Sequence, residues 1–537
     1  VLFRSAALAG SFFGYDGCSF VTPSKSLVMQ DHITDIVVLG GGTAGWITAG
    51  LLAASDRKLT VTLIESPDIP IIGVGEGTWP SMRATLQKIG LPETTLFKKC
   101  DASYKQGTRF FDWSKPGESY IHPFSMPAEY ASFNMAENWQ LDSAGSSSFA
   151  DYVTPQAAVI MSGKAPKQAT TPEYAFNVNY GYHFDAGLIA SELQAHIVNT
   201  LDVRYVSANL TAVISANDGS IEGLKISDGS TICGDLFVDC SGQRSLLLGE
   251  HYGVKLTPVS DILFNDRAIV VQVPYSETNA AINSVTHSTA SEAGWIWDIG
   301  LQTRRGVGYV HSSSHADEDA AFSTLQAYVA ATSSTLDPDS LRYRTINFSS
   351  GYREQFWVKN CVAIGLSAGF IEPLEASALA LIEQFATMLS QQLPVTREMI
   401  PPIARKFNDK QHYHWQRIIE FLKLHYVLSS RKDTPYWNDC REPKSCPESL
   451  LDKMQIWDQQ APWHDDAPRL DELFPSASYQ YVLYGMGHRA SHLRQRSRPD
   501  LAQKIARSVE EKRQQLLALL PDNRELLMST QAVAEVG

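Results

Sequence analysis

Residues 35 to 46 read Asp-Ile-Val-Val-Leu-Gly-Gly-Gly-Thr-Ala-Gly-Trp. A β-branched run enters a glycine cluster and leaves it through helix-forming residues from Ala44 to about Ser55, which predicts strand, tight turn, helix. A second apolar run, Val61 to Ile64, ends at Glu65, about twenty residues beyond Gly45. The unit is therefore βαβ with an acid at the tip of its second strand, the pattern of a dinucleotide-binding fold. Gly40 permits the tight turn, Gly42 lets the backbone approach a pyrophosphate, and Gly45 allows close helix packing. Thr43 and Ala44 carry the turn into a helix whose positive N-terminus faces the phosphates, and Glu65 would accept the ribose hydroxyls. A plain glycine-rich turn would not bring strand, helix, strand and acid into this order.

The chain has 537 residues, with 45 basic against 58 acidic side chains and a formal net charge of -13. That balance argues against nucleic acid as a partner. With 44% apolar and 10% aromatic residues it can fill packed cores and is not intrinsically disordered. At roughly 150 residues per domain its length suits about three to four structural units. The seven cysteines include no C-x-x-C pair, which suits neither a disulfide framework nor a zinc cluster, and no metal site is expected. A reducing cytoplasm is the expected location. No apolar run approaches the roughly 18 residues of a membrane helix, so a soluble protein without a membrane partner is expected. Residues 1–28 carry Arg4 and an apolar stretch, but Asp16 interrupts it and no clean cleavage site follows. They read as a non-domain extension ahead of Met29.

Between Thr211 and Asp239 short apolar runs alternate with Asn217-Asp218-Gly219 and Ser227-Asp228-Gly229, which predicts a β-meander. A second sheet is implied between Ala268 and Ser312, where Gly294-Trp-Ile-Trp-Asp-Ile299 places aromatics on one face. From Glu375 the pattern turns helical, through Leu379–Leu393, Pro402–Tyr426 and Leu501–Leu520, with a loop near Thr434 to Pro447. Asp185 reads as a helix cap. Two further strand-and-turn elements, Leu236–Gly242 and Cys361–Gly369, join the glycine turn in resembling the three flavin-contacting segments of two-domain FAD monooxygenases. Only one complete dinucleotide fingerprint is present, so no separate nicotinamide domain is expected.

The predicted fold is accordingly α/β. It comprises an FAD-binding Rossmann-like domain of the two-domain monooxygenase type (29–113, 180–262 and 355–395) and β-sheet substrate-domain insertions (114–179 and 263–354). A mainly helical C-terminal region, 396–537, completes the substrate site.

Six motifs in order make the chain resemble the flavin-dependent tryptophan halogenase family from about residue 33 to 490. They are Gly40–Trp46, Gly73-Val-Gly-Glu76, Tyr182-His-Phe-Asp-Ala186, Gly294–Ile299, Phe370-Ile-Glu-Pro-Leu-Glu375 and Arg431-Lys-Asp-Thr-Pro-Tyr-Trp437. The resemblance implies that reduced FAD, oxygen and chloride or bromide yield hypohalous acid. Lys105, in Ala102-Ser-Tyr-Lys105, would capture or hydrogen-bond that oxidant and present it to an aromatic carbon. Glu375 matches the family's essential glutamate, where a carboxylate can accept the ring proton or polarise the oxidant. Ser377 and Ala378 match backbone-amide halide contacts, and Gly75, Leu366 and Leu379 match flavin contacts. Trp295 and Trp297 would line the passage between flavin and substrate. His122 and Phe124 match one substrate wall and Phe474 the opposite one, with the His425-Tyr426 pair beside them.

The chain departs from the family pattern in three ways. Ser377-Ala378 stand where Thr-Gly is frequent, Gly300 replaces a proline, and no acid near Arg469 matches the group that holds a free amino acid's ammonium. The partners implied are a transient NAD(P)H-dependent flavin reductase and an aromatic small molecule of the indole or tryptophan-like kind; a homodimer is left open. Two rival readings are a flavin monooxygenase that hydroxylates the aromatic directly and a catalytically silent flavin-binding protein. The joint presence of Lys105 and Glu375 in their motifs opposes the second.

Overall fold

The computed structural model describes residues 32–55, 58–69, 75–142, 147–333, 335–490 and 498–532. The N-terminal extension, and Gly73 and Val74 of the second motif, lie outside the described residues. The strand Asp35–Leu39 runs between Thr60–Glu65 and Leu236–Asp239, all parallel. Arg204–Ser207 and Cys361–Ala363 add parallel neighbours on either side, and Trp357–Val358 closes one edge antiparallel. Near-continuous β-branched and aliphatic runs are what a parallel sheet covered on both faces requires. The helix Thr43–Ala53 follows the glycine turn as expected, with Trp46, Ile47, Leu51 and Leu52 buried.

The meander holds for three strands, Leu210–Ser215, Ile221–Ile226 and Thr231–Cys233. The fourth run, Leu236–Asp239, leaves it for the parallel sheet, because its four residues are buried on both faces. A seven-stranded sheet forms the second layer, in the order Tyr343–Asn347, Arg267–Pro274, Arg304–His311, Gly294–Gly300, Thr286–Ser291, Gly107–Phe111 and Ser119–Pro123. It begins earlier in the chain than the expected insertion boundary after residue 113, since Gly107–Phe111 pairs in parallel with Thr286–Ser291. Period-2 alternation works as read: Trp295, Trp297 and Ile299 face the main core, while Ile296 packs with Leu325 and Val329 of the helix Glu318–Thr332.

A small sheet of Gly75–Gly77, Gly181–Asp185 and Ser103–Lys105 bridges the two layers. Past Thr396 the chain is mainly helical, led by Ile400–Val427 and Pro499–Leu519. The segment expected as loop near Thr434 contains the short helix Pro435–Asp439, which starts with proline at its first turn and buries Tyr436 and Trp437. Asp185 caps the helix Ala186–Thr200 by accepting from the amides of Gly187 and Leu188. Among the described residues no helix is long and apolar enough to cross a membrane.

Candidate active site

The glycine turn is shaped by contacts that only hydrogen side chains tolerate. Gly40 has φ +117°, and a Cβ there would collide with the Cys240 carbonyl; a Cβ on Gly45 would collide with the carbonyl of Gly40. Among the described residues a Cβ on Gly42 would meet nothing within 4 Å, so the space above it is open. The helix beginning at Thr43 has no side-chain cap, which leaves its first amides to face that space. Glu65 folds its carboxyl over Gly41, where any Cβ would strike it. Burial raises the Glu65 carboxyl, and a hydrogen bond with Tyr205 opposes the rise.

Asp239 ties the other two segments together, accepting from the amides of Leu247 and Leu248 and from the hydroxyls of Ser241 and Ser367. Gly365, at φ +76°, brings the third segment against Ala44, with Leu366 exposed beside it. Open backbone, free helix amides and an acid at the strand tip fit the adenosine diphosphate half of FAD.

Lys105 sits where the chain changes sheets. Its strand in the small sheet ends at Lys105, and Gly107, at φ +154° and pressed against His122, starts the next strand in the large sheet. The side chain is 1% exposed, with Nζ 5.5 Å from the centre of the Phe124 ring and close over Gly77. Burial lowers the Lys105 ammonium to about 8, and the charge of Glu375 raises it in opposition. His183 lies beside it, fully buried, its Nε2 on Thr286. Burial, with Lys105 adding, holds that imidazole well below its ordinary range.

Glu375 reaches the same place from a different direction. It and Ala376 are consecutive non-glycine residues in the left-handed region, at φ 60° and 55°. Each costs about 1–2 kcal/mol, strain of the kind kept at functional sites. The surroundings fix it: Trp79 Nε1 donates to the Glu375 carbonyl at 2.7 Å, His122 Nδ1 lies 2.6 Å and His425 Nε2 3.3 Å from Oε1, and Thr108 donates to Oε2. Burial alone would raise this carboxyl, but the charge and hydrogen bonds of His122, then those of His425, hold it well below the usual carboxylate range. The left-handed turn followed by a right-handed Ser377 makes a backbone nest that opens the helix Ser377–Gln391, again without a side-chain cap. Among the described residues the buried Ser377 hydroxyl has no partner, so amides and hydroxyl together offer a small anion a place.

The other predicted site residues separate into two groups. Phe474 is stacked on Phe421 with centroids 3.8 Å apart and meets Trp79 edge-on, which makes an aromatic wall near Glu375. His122, expected to stack on substrate, instead has both ring nitrogens engaged, by Glu375 and by Ser478. His425, expected beside the substrate, is fully buried against Glu375. Tyr426 points elsewhere, because successive helix residues face about 100° apart. Its hydroxyl and the Trp295 indole N–H both donate to the buried Glu372, with Asn265 as a third donor. Trp295 is thus a core aromatic, packed with Trp113.

Trp297 lies flat on Gly308 and lines a groove of about 730 Å³ with Arg304, Gly306 and Arg344, beside Gly75. Leu379 is buried one turn into the helix from Ser377. Glu372, Trp79, Thr108 and Ser478 were not singled out from the sequence. Glu372 had a visible signal, lying in the same short motif as Glu375; the others had none.

Fold and site together define a class: flavoproteins that bind the nucleotide on a parallel sheet and perform their chemistry over a second, mainly antiparallel one. The tryptophan halogenase family profile matches residues 35–499. Tryptophan 6-halogenase SttH of Streptomyces toxytricini is 31% identical over 515 residues, covering 91% of this chain and 97% of that protein. A tryptophan halogenase of Shewanella frigidimarina superposes with a TM-score of 0.90 at 46% identity, covering 94% of this chain and 98% of its own. The flavin-dependent tryptophan C-6 halogenase Tar14 does so with a TM-score of 0.85 at 29% identity, covering 93% and 100%. The chain belongs to the tryptophan halogenase family and is a flavin-dependent halogenase. Neither rival reading is favoured by these relatives.

Proposed function

We propose that this halogenase is two-component, taking FAD reduced by a separate NAD(P)H-dependent flavin reductase that docks transiently, and that it chlorinates or brominates an indole or tryptophan-like aromatic. The observation that carries this reading is the meeting of buried Lys105 and Glu375 in one aromatic-walled place, delivered by different elements. Bound reduced FAD supplies, with oxygen and halide, the hypohalous oxidant. Gly40, Gly42, Thr43, Ala44, Gly45 and Glu65 hold the nucleotide, with Gly75, Leu366 and Leu379 on the flavin side. The Ser377 and Ala378 amides hold the halide at the opened helix end.

The Lys105 ammonium donates a hydrogen bond to the oxidant's oxygen, which draws electron density from the halogen and makes it more electrophilic. Phe124 and Phe474 flank the space for a flat ring. Glu375, ionised, accepts the proton that the attacked carbon loses. Because Lys105 and Glu375 come from a bridging sheet and a helix start held by Trp79, they are positioned before substrate arrives.

Turnover with reduced FAD, oxygen, bromide or chloride and a panel of indoles, read by mass spectrometry, tests the reading. A halogenated indole that requires halide is the expected product. An oxygenated product that forms without halide and survives Lys105→Ala would sink it.

A further inference from the structure

The Phe124–Ser125 peptide is gripped at both of its polar ends by side-chain amides. Asn179 Nδ2 donates to the Phe124 carbonyl at 3.0 Å, and the Ser125 N–H donates to Gln156 Oε1 at 2.7 Å. The partners leave neither amide free to turn over, because an amide oxygen only accepts and its NH2 only donates. Asn179 Oδ1 accepts from the Arg83 guanidinium, which can only donate, so Nδ2 must face the Phe124 carbonyl. Gln156, fully buried, is fixed in the same way: a backbone N–H holds its oxygen, and its Nε2 donates to the Asn179 carbonyl. Arg83 is itself held, its guanidinium over the rings of Phe176 and Tyr180 at 4.2 and 4.7 Å and its Nη1 on the Tyr174 carbonyl. A third main-chain group completes the grip. The Phe124 N–H donates at 2.9 Å to the carbonyl of Gln106, the residue after Lys105. Asn179 in turn lies just ahead of Gly181, the strand partner of Lys105.

We propose that Asn179 and Gln156 are positioning residues that fix the Phe124 ring relative to Lys105, and thereby select the carbon of the aromatic substrate that meets the oxidant. The proposal rests on the reading of Phe124 as a wall of the substrate space. A peptide plane held at its carbonyl and at its N–H cannot swing about the Phe124 Cα, and with the Phe124 N–H held as well, the Cα–Cβ bond has one direction. The ring then stands with its centre 5.5 Å from the Lys105 ammonium, within reach of a cation–π contact. A flat substrate stacked on that ring takes its orientation from it. Neighbouring carbons of an indole lie one bond apart, so a wall that slides by that much offers the oxidant a different carbon. Asn179 and Gln156 act through Phe124 and not on the reacting atoms.

The test is bromination of 3-methylindole, whose blocked carbon 3 leaves the other ring carbons to compete, with bromide, oxygen and reduced FAD. Asn179→Asp keeps an oxygen for Arg83 but sets an acceptor against the Phe124 carbonyl, whereas Asn179→Ala loses the donor without adding charge. Each is expected to raise the KM for 3-methylindole about tenfold and the ratio of minor to major bromo isomers by about as much, since the carbonyl is left unpaired and the ring free to tilt. Gln156→Glu, which keeps the oxygen for Ser125 and loses the donor to Asn179, should shift the ratio in the same direction. FAD titration should match the wild type throughout. The isomer ratio does not depend on how much of the protein is folded, so lost folding alone would leave it unmoved. A lower rate with isomer ratio and KM unchanged in these variants would make the amides merely structural and overturn the proposal. A shift in Asn179→Asp that is absent from Asn179→Ala would trace to the new charge and overturn it too. Absence of brominated product from the wild type would strike instead at the halogenation reading. The wall is then read from 3-methylindole binding by equilibrium dialysis, where a Kd about tenfold higher in both Asn179 variants would uphold it and an unchanged Kd would overturn it.

Discussion

Lys105 and Glu375 owe their properties to burial and to what burial brings near them. Lys105→Ala and Glu375→Gln should each remove halogenated product while leaving FAD binding and flavin oxidation nearly intact, as product analysis beside flavin absorbance would show. Their effects should not add, because oxidant and ring proton must be handled in one geometry. The double variant checks this. The lowered Lys105 sets a pH limit on the proposed donor role: the ammonium is lost as pH rises through about 8, and halogenation should fall there while flavin oxidation does not. A halogenation rate flat across that range would contradict the donor role.

Helix starts are the elements on which this site depends. Thr43–Ala53 and Ser377–Gln391 both begin without a side-chain cap, one above an open glycine turn and one at a strained left-handed pair. Gly42→Val fills the open side of the first and should abolish FAD binding with the fold retained, measured by flavin titration alongside circular dichroism.

The second helix has a stability signature of its own. Its Glu383 accepts from Ser81 and Thr85 of the neighbouring helix, and burial raises the carboxyl to about 8, against the pull of those hydroxyls. A folded-state value above the unfolded one means that stability is fully present below the unfolded value and lost as pH rises through about 8. The Tm advantage of Glu383→Gln over the wild type should therefore grow between about pH 5 and about pH 9. An advantage independent of pH would place the charge elsewhere.

Among the described residues one glycine turn of the dinucleotide type sits on one mainly parallel sheet, and the second large sheet is mainly antiparallel. NADH alone should then leave FAD oxidised when mixed with this protein, and bleaching should appear only when a flavin reductase is added. Rapid bleaching in a stopped-flow mixture without reductase would overturn the two-component proposal.

Local chemistry determined what the sequence could show by itself. The βαβ unit is written in adjacent residues: β-branched runs, glycines whose spacing matches backbone approach, and an acid one strand later, so its reading needed no partner from afar. The alternation of Trp295 and Trp297 and the cap at Asp185 are local in the same sense. Long-range pairing decided the rest. Leu236–Asp239 belongs to the parallel sheet because its pairing partners lie about 200 residues upstream and about 120 downstream, distances over which hydrophobic periodicity carries no information. His122 and His425 converge on Glu375 from a strand and a helix, with Ser478 of another helix behind His122, and a side chain's hydrogen-bond partner is invisible until those elements meet. A residue's type and neighbours announce a lysine, a glutamate or a histidine; only the tertiary structure decides which is charged, which is aimed, and which merely fills the core, because burial and partner geometry set those properties.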